Sequence, residues 1–279
     1  MHTTLVPCEE AIHHLDHADW LFVDCRFELA DPNKGVREYA KGHIPGAFYA
    51  DLGRDLSGPV GDGHKGRHPL PMVGAFQRWA GQQGITPTTQ VVCYDDVAGQ
   101  WASRLWWLLR YYGHKNVAVL DGGLTRWKAM GLPLRTQHEK ARKATTFLGQ
   151  PGQMLTVTAE EIATGSVVLV DARAPERFRG EVEPIDKRAG HIPGARSVPF
   201  AGNVGPDMRF LSAEKLRERY AGIEGKVACY CGSGTTATLD VLALEVAGLP
   251  TPALYPGSWS EWSYPEAGRP IETGPVPPA

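Results

Sequence analysis

Residues 227–236 read Val-Ala-Cys-Tyr-Cys-Gly-Ser-Gly-Thr-Thr, and the next ten, Ala237–Val246, read Ala-Thr-Leu-Asp-Val-Leu-Ala-Leu-Glu-Val. The run into Cys231 is short and apolar and ends on a glycine-rich turn, which predicts a strand. The following ten residues have the apolar spacing of a buried helix. Strands that feed helices in this way build parallel sheets, and ligands bind at the carboxyl ends of such strands. Cys231 stands at that end. Gly232 and Gly234 can take positive φ and turn successive N–H groups toward one point, with Ser233, Thr235 and Thr236 adding short hydroxyl donors. The positive end of the helix behind the loop faces the same point. A thiol attacks as thiolate, and converging donors stabilise that anion, so the loop reads as a cradle for a charged sulfur. Cys8, Cys25, Cys93 and Cys229 read as packing residues, the last three inside apolar strand-like runs.

Working outward, the chain states its pattern twice. Leu21-Phe22-Val23-Asp24-Cys25-Arg26 matches Leu169-Val170-Asp171-Ala172-Arg173 at a Val-Asp-x-Arg core, and Gly42-His43-Ile44-Pro45-Gly46-Ala47 recurs as Gly190-His191-Ile192-Pro193-Gly194-Ala195. Val91-Val92-Cys93-Tyr94 pairs with Val227-Ala228-Cys229-Tyr230, and the block from Leu120 to Trp127 pairs with the block from Tyr255 to Trp262. The order is the same in both halves. In the first half, strands are expected at 21–24, 91–94 and 117–120, with helices after Pro71 and around 103–112. The fold class is therefore α/β, with two tandem domains, each a mainly parallel sheet flanked by helices. The expected division is 1–138 and 154–279, with 139–153 inside a polar linker stretch that begins near Pro133. The first half carries an insertion, residues 53–71, rich in Gly, Pro and His and read as loop. Thr158-Ala159-Glu160-Glu161 supplies a capping box.

Repetition also sorts the candidates. His43 and His191, like the pairs Asp24/Arg26 and Asp171/Arg173, occur in both copies and read as structural. Cys231 has Asp95 as its counterpart, and a carboxylate cannot carry a transferable sulfur, so the first half is expected to be inert and the second catalytic. Trp101, Trp106 and Trp107 read as core.

Composition narrows the classes. A chain of 279 residues with a formal net charge of −2 offers no basic field for nucleic acid or an anionic membrane surface. Its amino-terminal residues have no signal-like pattern and no apolar run is long enough to span a bilayer, so the expected location is the cytoplasm. Five irregularly placed cysteines do not make a disulfide framework, and no second Cys or His pair stands at zinc-ligand spacing, so neither a metal nor a cofactor is expected.

The paired His-Ile-Pro-Gly-Ala blocks, the Val-Asp-x-Arg strands, the Gly-Ser-Trp-Ser-Glu-Trp ending and above all Cys-Gly-Ser-Gly-Thr-Thr-Ala resemble the tandem-domain rhodanese sulfurtransferases over nearly the whole chain. Within them, Cys231 to Thr235 is similar to the 3-mercaptopyruvate branch, although Thr235 stands where valine is usual. The resemblance implies that Cys231 takes a sulfur from 3-mercaptopyruvate as a persulfide and passes it to a thiol or cyanide in two half-reactions. Small-molecule donors and acceptors are the implied partners, a thioredoxin-like dithiol among the acceptors. It further implies a proton donor formed by Ser233 and by His68 from the first domain. The matching position for the acid partner is Gly53, which leaves Asp51 or Asp55 for that part. Arg177 matches the substrate-binding arginine. A second arginine is expected after Glu183-Pro184, but Ile185 stands there, which leaves Arg179 or Arg188 as substitutes and keeps thiosulfate open as the donor. A non-catalytic sulfur carrier or binding module is the more distant alternative. A phosphatase of related fold would need Arg six positions after the cysteine, where Ala237 stands.

Overall fold

The computed structural model describes residues 1–60 and 64–275. Two compact units result, the first from Met1–Gly58, Pro71–Met154 and Val204–Phe210, the second from Pro59–Leu70, Leu155–Asn203 and Leu211–Ala279. Most of the inserted loop, including His68, is thus part of the same unit as Cys231.

In the first unit the strands are β1 (Leu5–Pro7), β2 (Trp20–Asp24), β3 (Phe48–Tyr49), β4 (Gln90–Tyr94) and β5 (Val117–Asp121), and the helices are α1 (Cys8–Ala11), α2 (Lys34–Lys41), α3 (Val73–Gln82), α4 (Ala102–Tyr111) and α5 (Gly123–Ala129). The second unit has β6 (Val168–Asp171), β7 (Arg196–Ser197), β8 (Val227–Tyr230) and β9 (Ala253–Leu254), with α6 (Ala159–Ala163), α7 (Pro175–Phe178), α8 (Ala213–Arg219), α9 (Ala237–Val246) and α10 (Ser258–Trp262). Every strand pairing is parallel, in the orders β1-β5-β4-β2-β3 and β7-β6-β8-β9. Read from opposite ends, β5-β4-β2-β3 and β9-β8-β6-β7 are one arrangement. The place of β1 is kept in the second unit by a single parallel bridge, Thr156 with Leu254.

The repeated residues do repeated work. Tyr94 Oη accepts the Ile44 N–H and Tyr230 Oη the Ile192 N–H, each at 3.2 Å. Arg26 grips Asp24 and the carbonyl of Gly42, while Arg173 grips Asp171 and the carbonyl of Gly190. These ion pairs are buried, and removing one partner of such a pair costs about 3–5 kcal/mol. Trp106, Trp107, Trp127, Trp259 and Trp262 are fully buried, whereas Trp101 is half-buried against Phe27. The Thr158 capping box forms, with Thr158 Oγ1 accepting the Glu161 N–H and Glu161 accepting the Thr158 N–H.

Residues 133–153 hold no strand or helix, but they are not loose: the Thr145 N–H donates to Gly81, the Gln153 N–H to Tyr111, and Phe147 packs on Phe76. Among the described residues no helix is long and apolar enough to cross a membrane.

Candidate active site

The second unit builds its site on β8, which has β6 on one side and β9 on the other. Cys231 follows the last residue of β8, and the start of α10 pins the loop from below. Trp259 and Ser260 donate their N–H groups to the carbonyls of Cys231 and Gly232, both at 2.9 Å. The Cys231 N–H donates to Ser258 Oγ at 3.1 Å, and that hydroxyl donates to the Tyr255 carbonyl at 2.9 Å. Ser258 is buried and sits at φ 53°.

Gly234 has φ 74°, and a Cβ there would lie 2.2 Å from the Pro256 carbonyl oxygen, so both backbone and space require glycine. Gly232 differs from expectation, because its backbone is not left-handed. Its constraint is room: a Cβ would fall 2.9 Å from Arg67 Nη2 and 3.5 Å from Arg177 Nη1. Two guanidinium groups therefore crowd the open side of the loop.

Past Cys231, the N–H groups of Gly232, Ser233, Thr235, Thr236 and Ala237 donate to no acceptor among the described residues, and Thr235 Oγ1 is buried with no partner. They surround the amino end of α9, a ten-residue helix whose dipole adds to their field. Unspent donors around a cysteine at a helix start make an anion site.

The first unit shows such a loop already filled. The Asp95 carboxylate, at the end of β4, accepts four N–H bonds, from Val97 at 2.9 Å, Gly99 at 2.8 Å, Trp101 at 2.7 Å and Ala102 at 2.9 Å. Three of the donors that stand unspent around Cys231, those of Ser233, Thr235 and Ala237, have counterparts, at Val97, Gly99 and Trp101, that a resident anion fills.

His68 Nδ1 lies 2.8 Å from Ser233 Oγ, so the structure joins those two expected residues. The expected acid partners belong to the first unit and are engaged in their own turn: Asp51 accepts the Arg54 N–H, and Asp55 pairs with the Arg54 guanidinium. Arg177 faces the loop and is held by Glu183 at 2.8 Å and Asp186 at 3.3 Å. Neither substitute for the second arginine is turned to the loop. Arg179 pairs with Glu181 at the surface, and Arg188 donates to the Arg269 carbonyl. Ile185 is exposed and its N–H donates to Glu183.

Arg67 is the residue that sequence reasoning passed over. It pairs with Asp186, and its backbone N–H donates to Ser260 Oγ at 3.1 Å. Burial pushes the Asp186 carboxyl up, against the pull of Arg67. A cavity of about 240 Å³ lies here, lined by Gly66, Arg67, Asp186 and Ser260 among others, well below the volume that drug-sized ligands fill. The sulfur itself is deep, since Cys231 is 1% exposed. The other four cysteines are buried and reduced; burial pushes Cys25 and Cys229 far up, and Cys8 up to about 12. Among the described residues no group of three or more His, Cys, Asp or Glu side chains is placed to hold a metal ion.

A duplicated parallel α/β fold with a cysteine loop at the carboxyl end of the central strand of its second copy defines a class of cysteine-loop proteins. The chain belongs to the rhodanese-like domain family, whose model matches residues 8–130 and 155–264. It is 45% identical to a probable 3-mercaptopyruvate sulfurtransferase of Pseudomonas aeruginosa, over 97% of this chain and 98% of that protein. It is 42% identical to a putative thiosulfate sulfurtransferase of Mycobacterium tuberculosis, over 90% of each chain. Among solved structures, 3-mercaptopyruvate sulfurtransferase from Leishmania major superposes with a TM-score of 0.84 at 32% identity, covering 94% of this chain and 74% of that one.

Proposed function

We propose that this chain is a sulfurtransferase that moves sulfur from 3-mercaptopyruvate to a thiol or cyanide through a persulfide on Cys231. The observation that carries the reading is the set of N–H groups around Cys231 that meet no acceptor among the described residues, where the equivalents of Ser233, Thr235 and Ala237 in the first repeat donate to Asp95. The Cys231 thiolate attacks the donor sulfur, an S–S bond forms, and the C–S bond breaks with its electron pair left on carbon as the enolate of pyruvate. The proton that the donor thiol gives up ends on that carbon, with Ser233 and His68, 2.8 Å apart, as its relay. The donors of Gly232 to Thr236 take the charge of thiolate and persulfide in turn. An acceptor thiolate then attacks the outer sulfur and restores Cys231. Arg177 binds the donor's carboxylate. The first half keeps its cradle filled and is the inactive copy, the acceptor in the cell is a small thiol or a thioredoxin-like dithiol, and the site of action is the cytoplasm.

Purified protein is expected to turn 3-mercaptopyruvate over to pyruvate with a thiol acceptor, and to gain about 32 Da on Cys231, one sulfur atom, when the acceptor is left out. Cys231→Ser should abolish both. Thiosulfate is the second reading, favoured by the uncharged Ile185, and the two donors compared by kcat/KM on one preparation decide between them. Stable loading without turnover would point instead to a sulfur carrier.

A further inference from the structure

Two guanidinium groups beside the Cys231 loop have N–H groups that no acceptor among the described residues takes. Arg67 is engaged by Asp186 through Nη1 alone; its Nε is buried without a partner, and its Nη2, the atom nearest a Cβ on Gly232, meets no acceptor among the described residues. Arg177 gives Nε and Nη2 to Glu183 and Asp186, while Nη1, also beside Gly232, is unspent. The two Asp186 oxygens divide between the arginines, Oδ1 to Arg67 and Oδ2 to Arg177. Glu183 accepts the Asp186 N–H at 3.1 Å, which fixes that bridge. The charged groups cancel, two cations against two anions, yet one remaining donor of each, Arg67 Nη2 and Arg177 Nη1, lies beside Gly232. A planar carboxylate meets such paired N–H edges well, because each oxygen can take a separate donor.

We propose that Arg67 and Arg177 form a two-guanidinium seat for the donor's carboxylate next to Cys231, with Asp186 as the positioning residue that aligns them. This deepens the reading above by assigning to Arg67 the second carboxylate-binding cation that Ile185 cannot supply, and it rests on that reading. The seat pins the donor at one end so that its sulfur reaches Cys231, which is what makes the sulfur step effectively intramolecular.

Steady-state kinetics with 3-mercaptopyruvate, together with competitive inhibition by pyruvate, test it on wild type, Arg67→Ala, Arg67→Lys and Asp186→Asn. Arg67→Ala is expected to raise KM and the pyruvate inhibition constant together, by about 10–100-fold, with a smaller fall in kcat. Arg67→Lys should recover only part of the loss, since a lysine supplies charge without the planar fork. Asp186→Asn should raise the same two constants by about 3–10-fold, the loss expected when a supporting shell loosens. Unchanged KM and inhibition constant in a folded Arg67→Ala protein would overturn the seat alone. Loading of wild-type Cys231 from inorganic polysulfide, which has no carboxylate, tests the persulfide separately: no added sulfur from either donor would overturn the underlying reading instead.

Discussion

Ser258 holds the amide of Cys231 from a backbone conformation that serine seldom adopts, with φ at 53° and Oγ 3.1 Å from the Cys231 nitrogen. Its counterpart in the first repeat is Gly123, at φ 54°. Where glycine takes the left-handed turn at no steric cost, the second copy accepts strain of about 1–3 kcal/mol to place a hydroxyl against the Cys231 amide. Cys231's own N–H is thereby removed from the cradle.

Two substitutions separate strain from hydrogen bond. Ser258→Ala keeps the strain and loses the acceptor, and should destabilise by about 1–3 kcal/mol. Ser258→Gly loses the acceptor but relieves the backbone, so its cost in urea unfolding should be smaller by about 1 kcal/mol. Equal costs would refute the strain.

Asp95 is expected to support the fold without taking part in the chemistry. Asp95→Ala strands four N–H donors, two of them buried, and should cost about 2–4 kcal/mol of stability. The kcat/KM of the folded fraction is expected to stay within about threefold of wild type, a change on the scale of ordinary surface effects. A collapse in kcat matching that of Cys231→Ser would show the first repeat to be catalytic.

Ser233→Ala and His68→Ala each break the 2.8 Å contact and should lower kcat with 3-mercaptopyruvate by about 10–100-fold. Thiosulfate releases sulfite, which needs no proton on carbon, so its kcat should fall far less. Equal losses with both donors would remove the relay.

Asp240, on the face of α9 behind the loop, accepts from Asn203 Nδ2 at 2.6 Å and Tyr220 Oη at 3.1 Å, while its Oδ2 has no partner. Burial pushes this carboxyl up to about 7. The folded state then holds a proton that the unfolded chain has lost, so stability from this group falls as pH rises from about 4 to about 7 and is level above. Asp240→Asn should flatten that slope and exceed wild type in Tm at pH 8 more than at pH 5, by thermal melts in matched buffers. A parallel pH dependence in both proteins would contradict it.

The sheet frame was readable because its signals are local. The apolar runs at 21–24, 91–94 and 227–230 are strands, and the apolar ten after the loop are α9, since periodicity and the loop glycines act within a few residues. The two-residue β3, β7 and β9 and the three-residue β1 are set by pairing rather than by their own pattern, and gave no signal. At Gly232 the sequence suggests a left-handed turn, but what excludes a side chain is the approach of Arg67 from 165 residues away. Arg67 itself lies in a Gly-, Pro- and His-rich loop without periodicity, beside the more conspicuous His68. Ser258 was visible in principle, as the serine standing opposite a glycine when the two repeats are aligned.

The filled loop around Asp95 gives the molecule a standard to measure itself by. Because the charge seen by the Gly99 and Ala102 amides is covalently fixed, their nitrogen resonances should stay silent through a whole catalytic cycle. Those of Gly232 and Thr235 would shift each time sulfur arrives and departs, so one labelled sample carries both signal and baseline.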